Sequence, residues 1–183
     1  IRRIKKIPYE FDLIFTHPIA GREKIGVGAS TASIFTHANY VICPMDYNQN
    51  EHLDLADLLA REMGFSHISY LSPEKHDTII AYTSQLTHVL SLALVHSDDQ
   101  SFDTANFIGD SYRDLTRIAM INTTLWSDLF LHNKQHLLDK IEAFKTSLTQ
   151  FEEAIKNDDE KKLIQLMEAA KANRMSLEKE VNE

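Results

Sequence analysis

The chain has 183 residues, a formal net charge of −8 and 43% hydrophobic residues, enough apolar content for one large core or two small ones. The negative balance excludes nucleic acid or an anionic membrane as the main partner. A single cysteine, Cys43, excludes a disulfide framework and suggests a reducing, cytoplasmic setting.

Ile1–Lys6 is a short basic stretch with no capping signal, the first residue is not Met, and no signal peptide is visible. The chain therefore reads as part of a longer protein. Asp12–Phe15 is an apolar run of strand type that stops at Thr16-His17-Pro18. Gly26 and Gly28 imitate part of a nucleotide fingerprint, but no strand precedes them at the right spacing, so they read as loop glycines. Tyr40–Cys43 is a second strand, closed by Pro44. Asn50–Met63 has helical spacing through Leu53, Ala56, Leu59 and Ala60 and stops at Gly64, and His67–Leu71 is a third strand. Strand, helix, strand implies a parallel-sheet unit.

At Ser72 the pattern changes. Ser72 suits an N-cap, Pro73 the first helical position, and Glu74 and Asp77 the positive end of the helix dipole. No strand signal follows. Helices are expected over about 73–97, 112–121, 123–156 (with a break near Asn133) and 159–180. Thr78–Ser97 has no charged residue apart from its histidines, a length worth testing against a membrane span. Its Thr83, Ser84, Gln85, Thr87, His88 and Ser91 are too polar for hydrocarbon, so it reads as a helix buried in protein. Leu137, Ile141, Phe144, Leu148, Phe151 and Ile155 form a narrow apolar seam that Leu163, Leu166, Met167, Ala170 and Leu177 continue after an Asn157-Asp158-Asp159 turn. This predicts a helical hairpin whose seam packs within the subunit or in a dimer interface. The fold class is mainly α with a small α/β part, divided at about residue 72.

Three groups of residues could carry chemistry. At 100° per residue Asp77, Ala81, Ser84, Gln85 and His88 share one face of the first long helix, with Ile79, Tyr82, Leu86, Leu90 and Ala93 opposite. A polar stripe there meets water, another chain or a ligand. As a hydrolytic Ser/His/Asp set it lacks the strand-to-helix turn that would present Ser84. In Gly109–Asn122, Arg113 and Arg117 are one turn apart, with Asp110 and Asp114 on a neighbouring face. Surface ion pairs would account for these, but Ile118–Ile121 gives Arg117 core-like surroundings, where a carboxylate ligand suits its fork. His17 stands where a strand runs out, the rim at which ligands bind parallel α/β sheets. His132 and His136 have helical metal-ligand spacing without a convincing further ligand, so no metal site is assigned.

Taken together, "THPIAGREKIG", "SPEKHD", "TSQLTHVLSLALV", "FIGDSYRDLTRIA" and "LWSDLFLHNK", in this order and spacing, resemble prephenate dehydrogenase of tyrosine biosynthesis. The likeness runs from about residue 12 to residue 175. It implies the end of a Rossmann-type NAD-binding domain over residues 1–71, followed over 72–183 by an all-helical dimerisation domain like the C-terminal domain of 6-phosphogluconate dehydrogenase. The implied enzyme is a cytoplasmic homodimer that uses NAD to convert prephenate to 4-hydroxyphenylpyruvate and carbon dioxide, with no metal, membrane or nucleic acid. His17 matches the family's catalytic histidine, Arg117 its carboxylate-binding arginine, and His88 a substrate-contacting histidine. Arg113, Ser84 and Gln85 would add to the substrate site. The glycine fingerprint and the serine that orients the histidine should lie before Ile1, so residues 1–183 alone should show little activity. Gln85 and Thr87 depart from the residues common in the family, which bears on prephenate against arogenate. Arogenate or mixed-substrate dehydrogenase is the alternative within the family, and a non-catalytic helical dimerisation or regulatory module is the alternative outside it.

Overall fold

A computed structural model describes residues 11–21 and 31–179. Ile1–Lys6, Gly26 and Gly28 lie outside the described residues. The chain forms two compact units, the first running to Leu137 and the second from Leu138. The division expected at residue 72 falls inside the first unit.

That unit is built on a three-stranded sheet of β1 (Phe15–Ile19), β2 (Asn39–Cys43) and β3 (His67–Tyr70), in that order. Helix α1 (Asn50–Glu62) connects β2 to β3, which are parallel as the strand–helix–strand pattern requires. β1, however, is antiparallel to β2 and lies later in the chain than expected. Its position follows from Asp12, which is drawn out of the sheet to the start of α1. The Asp12 carboxylate accepts from the Asn48 side-chain amide, from Gln49 N–H (2.9 Å) and from the His52 ring (2.9 Å). Asn48 also donates to the carbonyl of Leu13 at 3.1 Å. The sheet ladder therefore starts at Phe15 and places His17 in mid-strand opposite Val41, not beyond a strand end. Pro18, which has no N–H, is tolerated because β1 lies at the border of the sheet formed by the described residues.

β2 is the central strand and is buried from Tyr40 to Cys43. On one face Tyr40 and Ile42 join Ala60 and Phe65 in the core, with Phe35, Leu53 and Ala56 packed around them. Gly64, at φ 100°, closes α1: Gly64 N–H donates to Arg61 O and Phe65 N–H to Ala60 O, so Ala60 and Phe65 meet in the core.

Ser72 accepts from Lys75 N–H at 3.3 Å and starts α2 (Pro73–Ile80), which passes through a π turn (Ala81–Leu86) into α3 (Thr87–His96). By length and composition this helical stretch is apolar enough to cross a membrane. Ala81, Gln85, Leu86 and Ser91 are buried, whereas Ile79, Tyr82, Leu94 and Val95 are exposed. The expected two-faced division of this helix fails because the π turn inserts an extra residue and breaks the 100° phase. α4 (Asp110–Thr116) gives way to a 3₁₀ turn at Arg117–Ala119, and α5 (Thr123–His132) is capped by Asn122, which accepts from Leu125 N–H. Asn133 separates α5 from α6 (Lys134–Lys156).

In the second unit Asp158, at φ 51°, turns the chain after α6, and Asp159 accepts from Lys162 N–H to cap α7 (Glu160–Lys179). Along the predicted seam Leu148, Ile155, Met167 and Leu177 are exposed.

Candidate active site

The sheet face opposite the core is the floor of a cavity. Strand register brings His17, Val41 and Ser69 into one row and Ile19, Asn39 and His67 into the next, and all six line the cavity. Facing them are Ile79, Ile80, Thr83, Ser84, Thr87 and His88 from the α2–α3 stretch. Arg117, Ile118, Met120, Ile121 and Asn122, with Leu125 and Trp126 of α5, complete the wall. The volume is about 1040 Å³, room for a compact acid and a second flat ring. In a chain of net charge −8, the cavity is lined by His17, His67, His88 and Arg117 and by no carboxylate among the described residues. Such a surface favours an anionic guest.

His17 is half-buried, and its Nδ1 lies 2.8 Å from Nε2 of His76, with the two rings edge to face. His76 in turn places Nδ1 2.9 Å from Oδ1 of Asp77. Burial, and secondarily the neighbouring His76, pushes the pKa of His17 below its ordinary value. The neutral, proton-accepting form is thereby favoured.

His88 lies flat on the Trp126 indole, with ring centroids 3.6 Å apart and planes 27° off parallel. Its Nδ1 is 2.8 Å from the Ser84 carbonyl oxygen. A carbonyl only accepts, so Nδ1 carries the hydrogen and Nε2 is the nitrogen left for a guest. Arg117 reaches the cavity because α4 ends at Thr116 and the 3₁₀ turn redirects the chain.

Two residues expected at this site are placed elsewhere. Arg113 points away and pairs with Asp110 at 3.4 Å on the surface. It and Arg117 are not presented together, because the helix that would align them stops between them. Gln85 is buried: its amide donates to Leu129 O at 3.0 Å and accepts from Asn133 Nδ2 at 2.9 Å. The π turn sends it toward the α5–α6 junction while Ser84 keeps the cavity. His132 and His136 direct Nδ1 to Asp128 O and to Asn133 Oδ1. His76, Trp126, Asn39 and His67 were not singled out in the sequence. A histidine directly before an acid in a first helical turn was the available signal for His76.

Residues 1–68 match the family model for the prephenate dehydrogenase nucleotide-binding domain, and residues 72–169 match the model for its dimerisation domain. The chain belongs to the prephenate dehydrogenase family. Its cavity joins side chains from both family regions. Prephenate dehydrogenase of Bacillus subtilis is 27% identical over 93% of this chain and 47% of its own length. The chain thus spans about half the length of that curated relative. Among solved structures, Aquifex aeolicus prephenate dehydrogenase in complex with hydroxyphenyl propionate and NAD+ is similar at a TM-score of 0.80 and 31% identity, covering 90% of this chain and 58% of that one. Synechocystis arogenate dehydrogenase is similar at a TM-score of 0.76 and 25% identity, covering 90% and 61%.

Proposed function

We propose that the protein containing this chain is a cytoplasmic, NAD-dependent prephenate dehydrogenase. The observation that carries the reading is that His17 and Arg117 line one cavity between a sheet and a helical layer, with no carboxylate in its lining among the described residues. Its similarity to an enzyme solved with a phenolic acid and NAD+ supports the choice of ligands. In the sheet floor of the cavity, Val41, cross-strand from His17, and Leu71 offer apolar surface on which a nicotinamide ring would lie. NAD, when bound, accepts the hydride.

The chain's own residues do the rest. Arg117 holds a substrate carboxylate through its planar fork. His17 accepts the proton of the ring hydroxyl as the carbon bearing it loses hydride. The electron pair of the bond to the departing carbon dioxide closes the aromatic ring, and the proton returns to the phenolic oxygen. The stacked His88 and Trp126 close one side of the cavity, and Ser84 and Thr87 add polar contacts. Dimerisation is assigned to the helical region, where the match to the family's dimerisation domain and the exposed apolar residues of α6 and α7 agree.

A second reading, arogenate or mixed specificity, is favoured by the likeness to an arogenate dehydrogenase. Steady-state rates of the full-length enzyme on both substrates decide between them. In the same enzyme His17→Asn should lower turnover on the order of 10²-fold or more. Unchanged turnover would refute the dehydrogenase reading in favour of a non-catalytic helical module.

A further inference from the structure

We propose that His76, held by Asp77, is a positioning residue that fixes the tautomer of His17, keeping its hydrogen on Nδ1 and leaving Nε2 bare to accept a proton. The inference rests on reading His17 as the base, and it adds the residue that makes the base usable.

The Asp77 carboxylate can only accept, so at 2.9 Å the Nδ1 of His76 must carry a hydrogen. A neutral imidazole has one N–H, so His76 Nε2 is bare and can only accept. At 2.8 Å from it, the Nδ1 of His17 must therefore be the donor. The one ring nitrogen of His17 outside this chain of bonds is Nε2, and it now has a free lone pair. With the opposite tautomer that nitrogen would already hold a hydrogen and could take no proton. A carboxylate orienting a histidine is the usual device for this; here a second histidine carries the instruction one ring further.

The arrangement is held from behind. The main-chain carbonyl of Asp77 accepts from Asn133 Nδ2 at 2.8 Å, and the same amide donates to Gln85. His76 N–H donates to Ser72 O at 2.9 Å, so the capped first turn of α2 sets the ring's height. Side-chain exposure rises from 18% at His76 to 50% at Asp77. The carboxylate thus stays hydrated while the ring between it and His17 is screened from water.

The test uses the full-length enzyme with ¹⁵N-labelled histidine, reading tautomers by long-range ¹H–¹⁵N correlation at neutral pH, alongside steady-state kinetics. Wild type should show His17 protonated at Nδ1 and bare at Nε2. His76→Leu should convert His17 to a mixture of tautomers and lower kcat about 10- to 100-fold with KM nearly unchanged. His76→Gln, whose amide oxygen can accept where Nε2 did, should keep the wild-type tautomer and most of the turnover. The inference is overturned if wild-type His17 is protonated at Nε2, if its signals are unmoved in His76→Leu, or if His76→Gln is as impaired as His76→Leu. The wild-type spectrum and the glutamine variant decide the matter even if the leucine variant fails to fold. If instead His17→Asn leaves turnover intact, the dehydrogenase reading fails while the tautomer assignment stands.

Discussion

Replacing Gln85 by leucine keeps the volume of a buried side chain and removes both of its hydrogen bonds. Each such bond contributes about 1 kcal/mol net, and a buried acceptor stripped of its partner costs more. Leu129 O would keep only the 3.3 Å bond from Asn133 N–H, while the Asn133 amide would still hold Asp77 O. The expected loss is about 2–3 kcal/mol. For a protein above 150 residues, about 2–4 °C per kcal/mol then gives a drop in Tm of roughly 4–12 °C. The assay is thermal unfolding by circular dichroism, with KM for prephenate measured well below the transition. A Tm within about 1 °C of wild type, together with a KM raised tenfold or more, would refute the structural assignment of Gln85 and return it to the substrate site.

The two arginines should separate cleanly. Arg117→Ala is expected to raise KM for prephenate by about tenfold or more, whereas Arg113→Ala, which breaks only an exposed pair with Asp110, should change kinetics and Tm little. Because burial and then His76 hold the pKa of His17 below the ordinary imidazole value, about 6.5, kcat/KM should stay level as pH falls to that value and decline only below it. A pH–rate profile whose acid limb is centred above it would contradict this. The linkage has the same sign: the unfolded chain takes up the proton first, so His17's share of stability falls from the unfolded pKa down to the folded one. Gly64→Ala should cost about 1–2 kcal/mol in a denaturant titration. At φ 100° the added Cβ would meet Thr36 only at ordinary contact distance, so the penalty is torsional.

Where local chemistry dictated structure, the sequence was readable. Gly64 stops α1, Ser72-Pro73 starts α2, Asn133 breaks the long helix and Asp159 starts α7, each through residues within a few positions. What escaped was set by partners far along the chain. Asp12 lies 36 to 40 residues from the groups that pull it out of the sheet, so β1 slid past its predicted place. The π turn leaves no mark in composition, and without it the 100° rule put Gln85 beside Ser84. His17, His88, Ser84 and Arg117 were all found from sequence and all line the cavity. His76 was missed because its partner His17 is 59 residues away.

The π turn also constrains which length changes this stretch could accept. Losing a single residue between Ala81 and Leu86 would let the coil relax to ordinary pitch with the faces on either side nearly unmoved, whereas losing one from the α-helical turns of α2 would swing everything after it by about 100°. His88 would then leave the indole of Trp126, although no residue touching either ring had been altered. Spacing here is as much a part of the binding surface as side-chain identity, and a one-codon deletion in α2 should cripple it more thoroughly than one inside the π turn.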